Sequence, residues 1–179
     1  AESKAKDINQ EQLSRITDPY TRFSLRLQRE FGLRREESIK FIARYADKGD
    51  HLLLKPSWTK GGKARRVPIL TAAQRQLVDE VAAFSGSGSL IPADKSFIQQ
   101  QRNYVRQVMN AGLNRMHGLR HQYAQRRFEE LTGFQCPVAG GPARNTLTRA
   151  QRELDQEARR VISKELGHER AQIVSVYVG

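Results

Sequence analysis

The sequence is poor in several things at once. It holds one cysteine, Cys136, and one tryptophan, Trp58, and aromatic residues make up only 7% of its 179 positions. A single cysteine excludes an internal disulfide and cannot seed a thiolate metal cluster, which fits a reducing compartment, the cytoplasm. No uninterrupted apolar run reaches membrane-spanning length, and the start lacks the pattern of a signal peptide, so no membrane partner is expected. No internal repeat is visible. The chain opens Ala1-Glu2-Ser3-Lys4 without methionine and reads as an excised piece of a longer protein.

Acidic residues are the other scarcity. There are 19 Asp and Glu against 31 Lys and Arg, a formal net charge of +12. A domain this basic suits a polyanion, because each neutralised phosphate releases condensed counterions. A ribosomal-type or RNA-binding domain would share that charge, but no aromatic RNP-type motif is present. The hydrophobic fraction of 38% is enough, at this length, for one buried core.

Apolar Leu13, Ile16, Phe23, Leu27 and Phe31 recur at helical spacing, broken by Thr17-Asp18-Pro19. Gly32-Leu33-Arg34 closes one helix, and Arg35-Glu36-Glu37 opens the next with acids where the helix dipole favours them. The period then shifts to strands over His51–Trp58 and Ala64–Leu70, with the turn Thr59-Lys60-Gly61-Gly62-Lys63 between them. Further helices are expected from Thr71 to about Phe84, at about Ser96–Ala111, at about Gly118–Leu131 and at about Thr148–Glu165, with a loop over Gly133–Arg144. The segment from His168 onward fits either helix or extended chain. The class is therefore α+β, mostly helical, with one small antiparallel hairpin or three-stranded sheet.

The residues that carry chemistry are each unremarkable alone. His117-Gly118-Leu119-Arg120 is an H-x-x-R pair opening a helix, Leu166-Gly167-His168 is a helix end, and Tyr177 is a lone aromatic. In order they form G-L-R-x-x-E, T-K on a hairpin turn, H-x-L-R-H, L-G-H, and a tyrosine nine positions after His168. This succession resembles the tyrosine recombinase family, the phage integrases and chromosome-dimer resolvases, over nearly the whole chain from Gly32 to Tyr177.

The resemblance implies a catalytic domain spanning residues 1–179. It makes Tyr177 a nucleophile, Arg34 and Arg120 a clamp on the scissile phosphate, and Lys60 the general acid, with Lys63 as the neighbouring alternative. His117 and His168 fill the two histidine-type positions, and Glu37 and His121 support the site. Lys63, Arg65 and Arg66 are further candidates for DNA contact. The implied partner is duplex DNA at an attachment site, bound by a homotetramer, with no small-molecule substrate. The chemistry asks for these types independently. Guanidinium groups stay charged and present paired donors to the non-bridging oxygens, and a phenol needs a nearby base to attack. Covalent capture conserves the phosphodiester energy, so no cofactor is called for, and no cluster of metal ligands is visible.

Two departures stand out. Arg120 and His168 lie 48 positions apart, about twice the family's usual separation, and the excess falls in residues 133–160. That segment reads as a peripheral insertion, or as a contact surface through Arg144, Arg149, Arg152, Arg159 and Arg160. Glu153, Asp155 and Glu157 interleave opposite charge and favour the former. The chain also stops two residues after Tyr177, which leaves the tyrosine segment expected to be poorly anchored, and an N-terminal DNA-clamping domain is missing, so weak DNA binding is expected. A type IB topoisomerase and a non-catalytic DNA-binding module are the alternatives, the latter disfavoured because every expected position is filled.

Overall fold

The computed structural model describes residues 2–179. Caps set its helix boundaries. A short helix, α1 (Gln10–Ser14), precedes α2 (Pro19–Phe31), where Asp18 accepts from the Tyr20 and Thr21 amides and Pro19 takes the first position. After Gly32 the chain re-enters helix as α3 (Arg35–Lys40), followed by α4 (Ala43–Ala46). Thr71, Ser96 and Thr148 each close a capping box on the helices α5 (Ala72–Ser85), α6 (Phe97–Asn110) and α8 (Arg149–Leu166). Between the last two lies α7 (Gly118–Thr132), and the chain ends in α9 (Ser175–Val178). The open question over the final segment is thus resolved as helical, with a 3₁₀ turn at Ala171–Val174 before α9.

The sheet among the described residues is two-stranded, β1 (His51–Leu54) antiparallel to β2 (Arg65–Pro68), with Leu52 opposite Val67 and Leu53 opposite Arg66. Both strands are shorter than the sequence pattern suggests. Pro56 supplies no ladder donor, and the chain turns there into a 3₁₀ turn that buries Trp58. Residues 55–64 therefore project beyond the sheet as a tip carrying Lys60 and Lys63.

Two apolar clusters form the core. The larger joins α2, α5, α7, α8 and the hairpin through Leu27, Phe31, Val67, Val81, Phe128 and Ile162; the smaller joins α2, α3, α6 and α7 through Leu25, Ile39, Val108 and Leu119. Burying each such side chain stabilises the fold by roughly 1.5–3 kcal/mol. Because α2 and α7 contribute to both clusters, the Gly32–Arg34 turn after α2 and the His117 end of α7 are rigidly placed. No helix among the described residues is long and apolar enough to cross a membrane.

Residues 133–160 are not peripheral throughout. Cys136, Leu147, Asp155, Ala158 and Arg159 are buried, and the segment doubles as the start of α8, which packs along α7. Arg159 is consequently unavailable as a surface contact. Its neighbour Arg160 is paired with Glu157, and Arg149 lies 3.8 Å from Glu153.

Candidate active site

The helix ends converge. Arg34 stands at the entry to α3, His117 and Arg120 at the start of α7, and His168 just after α8, with Lys60 on the hairpin tip and Tyr177 on α9. Arg34, Lys60, His117, His168 and Tyr177 line one cleft of about 880 Å³, which also takes in Lys63 and Arg66. The fold thus brings together residues spread over most of the chain.

Arg120 is the centre of this arrangement, 1% exposed. Its Nε donates to Tyr177 Oη (3.2 Å), one terminal nitrogen to the Gly32 carbonyl (2.7 Å) and the other to the Leu166 carbonyl. The carbonyls belong to the last turns of α2 and α8, so both helices orient the guanidinium. Burial, then the charges of Arg34 and Arg65, lower its pKa to about 10, which leaves it a cation at neutral pH.

Glu37 is the buried counter-charge. It caps α3 by accepting from the Arg34 amide (2.8 Å), accepts from the Arg34 side chain (3.2 Å), and takes a two-pronged bond from Arg65 (2.6 and 2.7 Å). Burial pushes its carboxyl up. The Arg65 bonds, with the charges of Arg65 and Arg120 and the Arg34 amide, outweigh that and hold it ionised below the usual range.

Arg65 therefore departs from the expectation that it reaches DNA. It is 5% exposed, and its guanidinium is committed to Glu37. Its stem also lies beneath Gly167. That residue has φ +81°, and a Cβ there would stand 2.7 Å from Arg65 Cδ, so the glycine of L-G-H is required both by backbone and by space. The signal was in the strand: with Val67 buried, the two-residue period puts Arg65 on the same inward face. Arg66 points outward. Lys63 is exposed too, yet it pairs with Glu169 across the cleft mouth at 2.7 Å.

Three histidines surround the Tyr177 ring, with centroid separations of 4.4 Å to His121, 5.5 Å to His168 and 6.2 Å to His117. His168 is stacked on the ring, and its buried Nδ1 has no hydrogen-bond partner among the described residues. Burial, then the charges of Arg120, Arg34 and Arg65, drop the His168 pKa to about 4. His121 falls to about 4 as well, through burial, then His117, Lys4 and Arg120. His117 is lowered by burial, then by Arg120, Arg34 and Lys60. In all three, burial and the neighbouring cations disfavour the charged ring. Among the described residues no group of His, Cys, Asp and Glu is arranged to hold a metal ion.

The tyrosine segment is held, contrary to the expectation of weak anchorage. Tyr177 is 7% exposed and Val178 fully buried. Gln125 on α7 donates to the Tyr177 carbonyl (3.1 Å) and also to Ser3 Oγ (2.8 Å), tying α9 to the N-terminal strap. That strap crosses the start of α7 closely, Lys6 donating its amide to the Gly118 carbonyl at 2.9 Å. Gln125 and Arg159, which hydrogen-bond to the Tyr177 segment, are marked by no motif in the sequence.

Comparison with known proteins bears on the family and the fold. A family model described as Integrase matches residues 2–126, more than half of the chain, and ends within α7 before His168 and Tyr177. Among solved structures, the catalytic domain of bacteriophage HP1 integrase is similar at 16% identity and a TM-score of 0.58, covering 97% of this chain and 86% of that one. XerH site-specific recombinase, bound to palindromic difH substrate in a post-cleavage complex, gives 18% identity and 0.56, covering 96% of this chain and 48% of that one. XerA recombinase gives 15% and 0.55, covering 96% and 59%. The chain thus spans most of the first and about half of the XerH chain, and at these identities the likeness is one of fold. No curated protein matches the chain by sequence.

Proposed function

Because the chain belongs to the integrase family, we propose that it performs site-specific DNA recombination with Tyr177 as the nucleophile. The observation that carries this reading is the 3.2 Å bond from buried Arg120 Nε to the hydroxyl of Tyr177, which itself lines a cleft walled by cations. A phosphate seated against Arg34 and Arg120 would lie beside the phenol oxygen, and its spreading transition-state charge would meet fixed guanidinium donors in a dry wall.

In the proposed step Tyr177 Oη attacks the phosphorus and the bond to the 5′-oxygen breaks. The phenol proton passes to a histidine beside the ring, His168 or His117. Lys60 gives a proton to the leaving 5′-oxygen. A 3′-phosphotyrosyl link and a free 5′-hydroxyl result, and a 5′-hydroxyl from another strand reverses the reaction to seal a new junction. Exchange of paired strands calls for one protein copy per cleaved strand, a homotetramer on duplex DNA. Glu37 and Arg65 hold the Arg34 side of the clamp, and Lys63 and Arg66 extend the cationic surface. The enzyme would work on the nucleoid, in the cytoplasm.

The test is covalent trapping on a nicked suicide substrate carrying the attachment site. The expected result is a denaturation-resistant protein–DNA adduct that disappears in Tyr177→Phe. An adduct that persists in Tyr177→Phe would overturn the assignment. Site binding without any adduct would favour a DNA-binding module instead.

A further inference from the structure

The four residues of α9 cannot hold themselves in place, since an isolated helix of this length is far below the size that is stable in water. Whatever fixes Tyr177 must come from tertiary contacts. On its cleft side the ring is packed among histidines. α9 also rests on residues 133–160, through Pro137, Val138 and Arg159.

That support is specific. Arg159 is 4% exposed on α8, with a terminal nitrogen donating to the Gly179 carbonyl (2.7 Å) and the other to Ser175 Oγ (3.3 Å). Its Nε donates to buried Asp155 (2.9 Å), which fixes the plane of the guanidinium. One side chain thus grips the first residue of α9 and the residue just beyond its last. A planar fork can span both ends at once, which an ammonium cannot. Pro137 and Val138, from the 3₁₀ turn in the same segment, close against Gly179 from below.

We infer that Arg159, oriented by Asp155, is a positioning residue that sets the Tyr177 hydroxyl against Arg120, and that residues 133–160 serve as the seat of the nucleophile helix. The inference rests on the reading of Tyr177 as nucleophile. Arg159 does not touch the reacting atoms: it acts through Ser175 Oγ and the Gly179 carbonyl at the two ends of α9. A displacement of about 1 Å in a reacting group costs on the order of 10²-fold in rate, so that is the expected scale of its loss.

The test uses Arg159→Lys and the double variant Asp155→Leu/Arg159→Met. The double variant removes the fork without stranding a buried charge, and an apolar replacement of a buried ion pair is commonly tolerated by the fold. Three readouts are taken: adduct formation on the suicide substrate, DNA affinity, and amide hydrogen exchange over residues 175–179. The double variant is expected to melt cooperatively, to bind DNA within about twofold of the parent, and to form adduct on the order of 10²-fold more slowly. Exchange over residues 175–179 should rise at least about tenfold while that of α7 stays constant. Arg159→Lys should fall between, because it keeps the Asp155 pair and one of the two grips. A folded double variant with parental adduct rate, or with unchanged exchange over residues 175–179, overturns the inference. The Tyr177→Phe control keeps the two ideas apart. If it still forms adduct, the nucleophile reading fails, while the exchange readout continues to judge whether Arg159 seats the segment.

Discussion

The two walls of the cleft are built in opposite ways. On the inner wall Arg120, Glu37 and Arg65 are 1%, 0% and 5% exposed; Arg65 is bonded to Glu37, and Arg120 to Tyr177 and to the Gly32 and Leu166 carbonyls. On the outer wall Lys60 and Lys63 sit on the exposed hairpin tip, and Lys63 has a side-chain exposure of 76% despite its pair with Glu169. In the proposed reaction the inner wall meets a charge that must be gripped in one geometry, and preorganised donors in a water-poor setting would do that without reorganising during the reaction. In the proposed reaction the outer wall supplies a proton to an oxygen whose position is defined only once DNA is seated, so a long, exposed side chain suffices. Substitutions on the inner wall should therefore damage folding and chemistry together, and substitutions on the tip should damage chemistry alone.

The largest effect that would sharpen this contrast is at Arg120. Arg120→Met should slow adduct formation by about 10³-fold, the scale of losing a transition-state donor. It should also lower the melting temperature, since the Gly32 and Leu166 carbonyls lose their donor at roughly 1–3 kcal/mol each. An unchanged melting temperature would break the comparison.

Lys60→Ala is the complementary case. Adduct formation should fall by roughly 10²–10⁴-fold, the usual range for a lost general acid, with the melting curve unmoved. Replacing the bridging 5′-oxygen by sulfur should restore most of the rate, because a thiolate leaves without a proton. A rate that stays low with the sulfur substrate would move Lys60 from proton donor to phosphate contact.

The smallest effect concerns pH. His121 and His168 are pushed from an ordinary value of 6.5 to about 4 in the folded protein. Between those limits the unfolded chain binds more protons than the folded one, so stability rises with pH through that window and is lost as pH falls below about 6.5. The melting temperature should therefore decline from pH 7 to pH 4.5, and His168→Gln should make that decline shallower. A pH-independent melting temperature in the parent protein would show that the inner wall does not suppress histidine charge.

Helix and hairpin boundaries were legible from local chemistry. Asp18-Pro19, Thr71, Ser96, Thr148 and Gly167 act on neighbours within a turn, and such signals survive whatever the rest of the chain does. The order of R, K, H-x-x-R, H and Y was legible as well, and Arg34, Lys60, His117, His168 and Tyr177 of that set line the cleft. The sequence by itself therefore determined the fold class, the element order and the identity of the candidate reactive groups. Only the tertiary structure decided that Arg65 turns inward to Glu37 rather than outward to DNA. The same holds for Cys136, Leu147, Asp155, Ala158 and Arg159, which are buried within residues 133–160, and for Gln125 and Arg159, which hydrogen-bond to the Tyr177 segment. The physical reason is common to all of these. An arginine's local pattern is the same whether its charge meets water, a phosphate or a buried carboxylate. What selects among them is desolvation and partner geometry, which exist only when segments far apart in the chain have packed together.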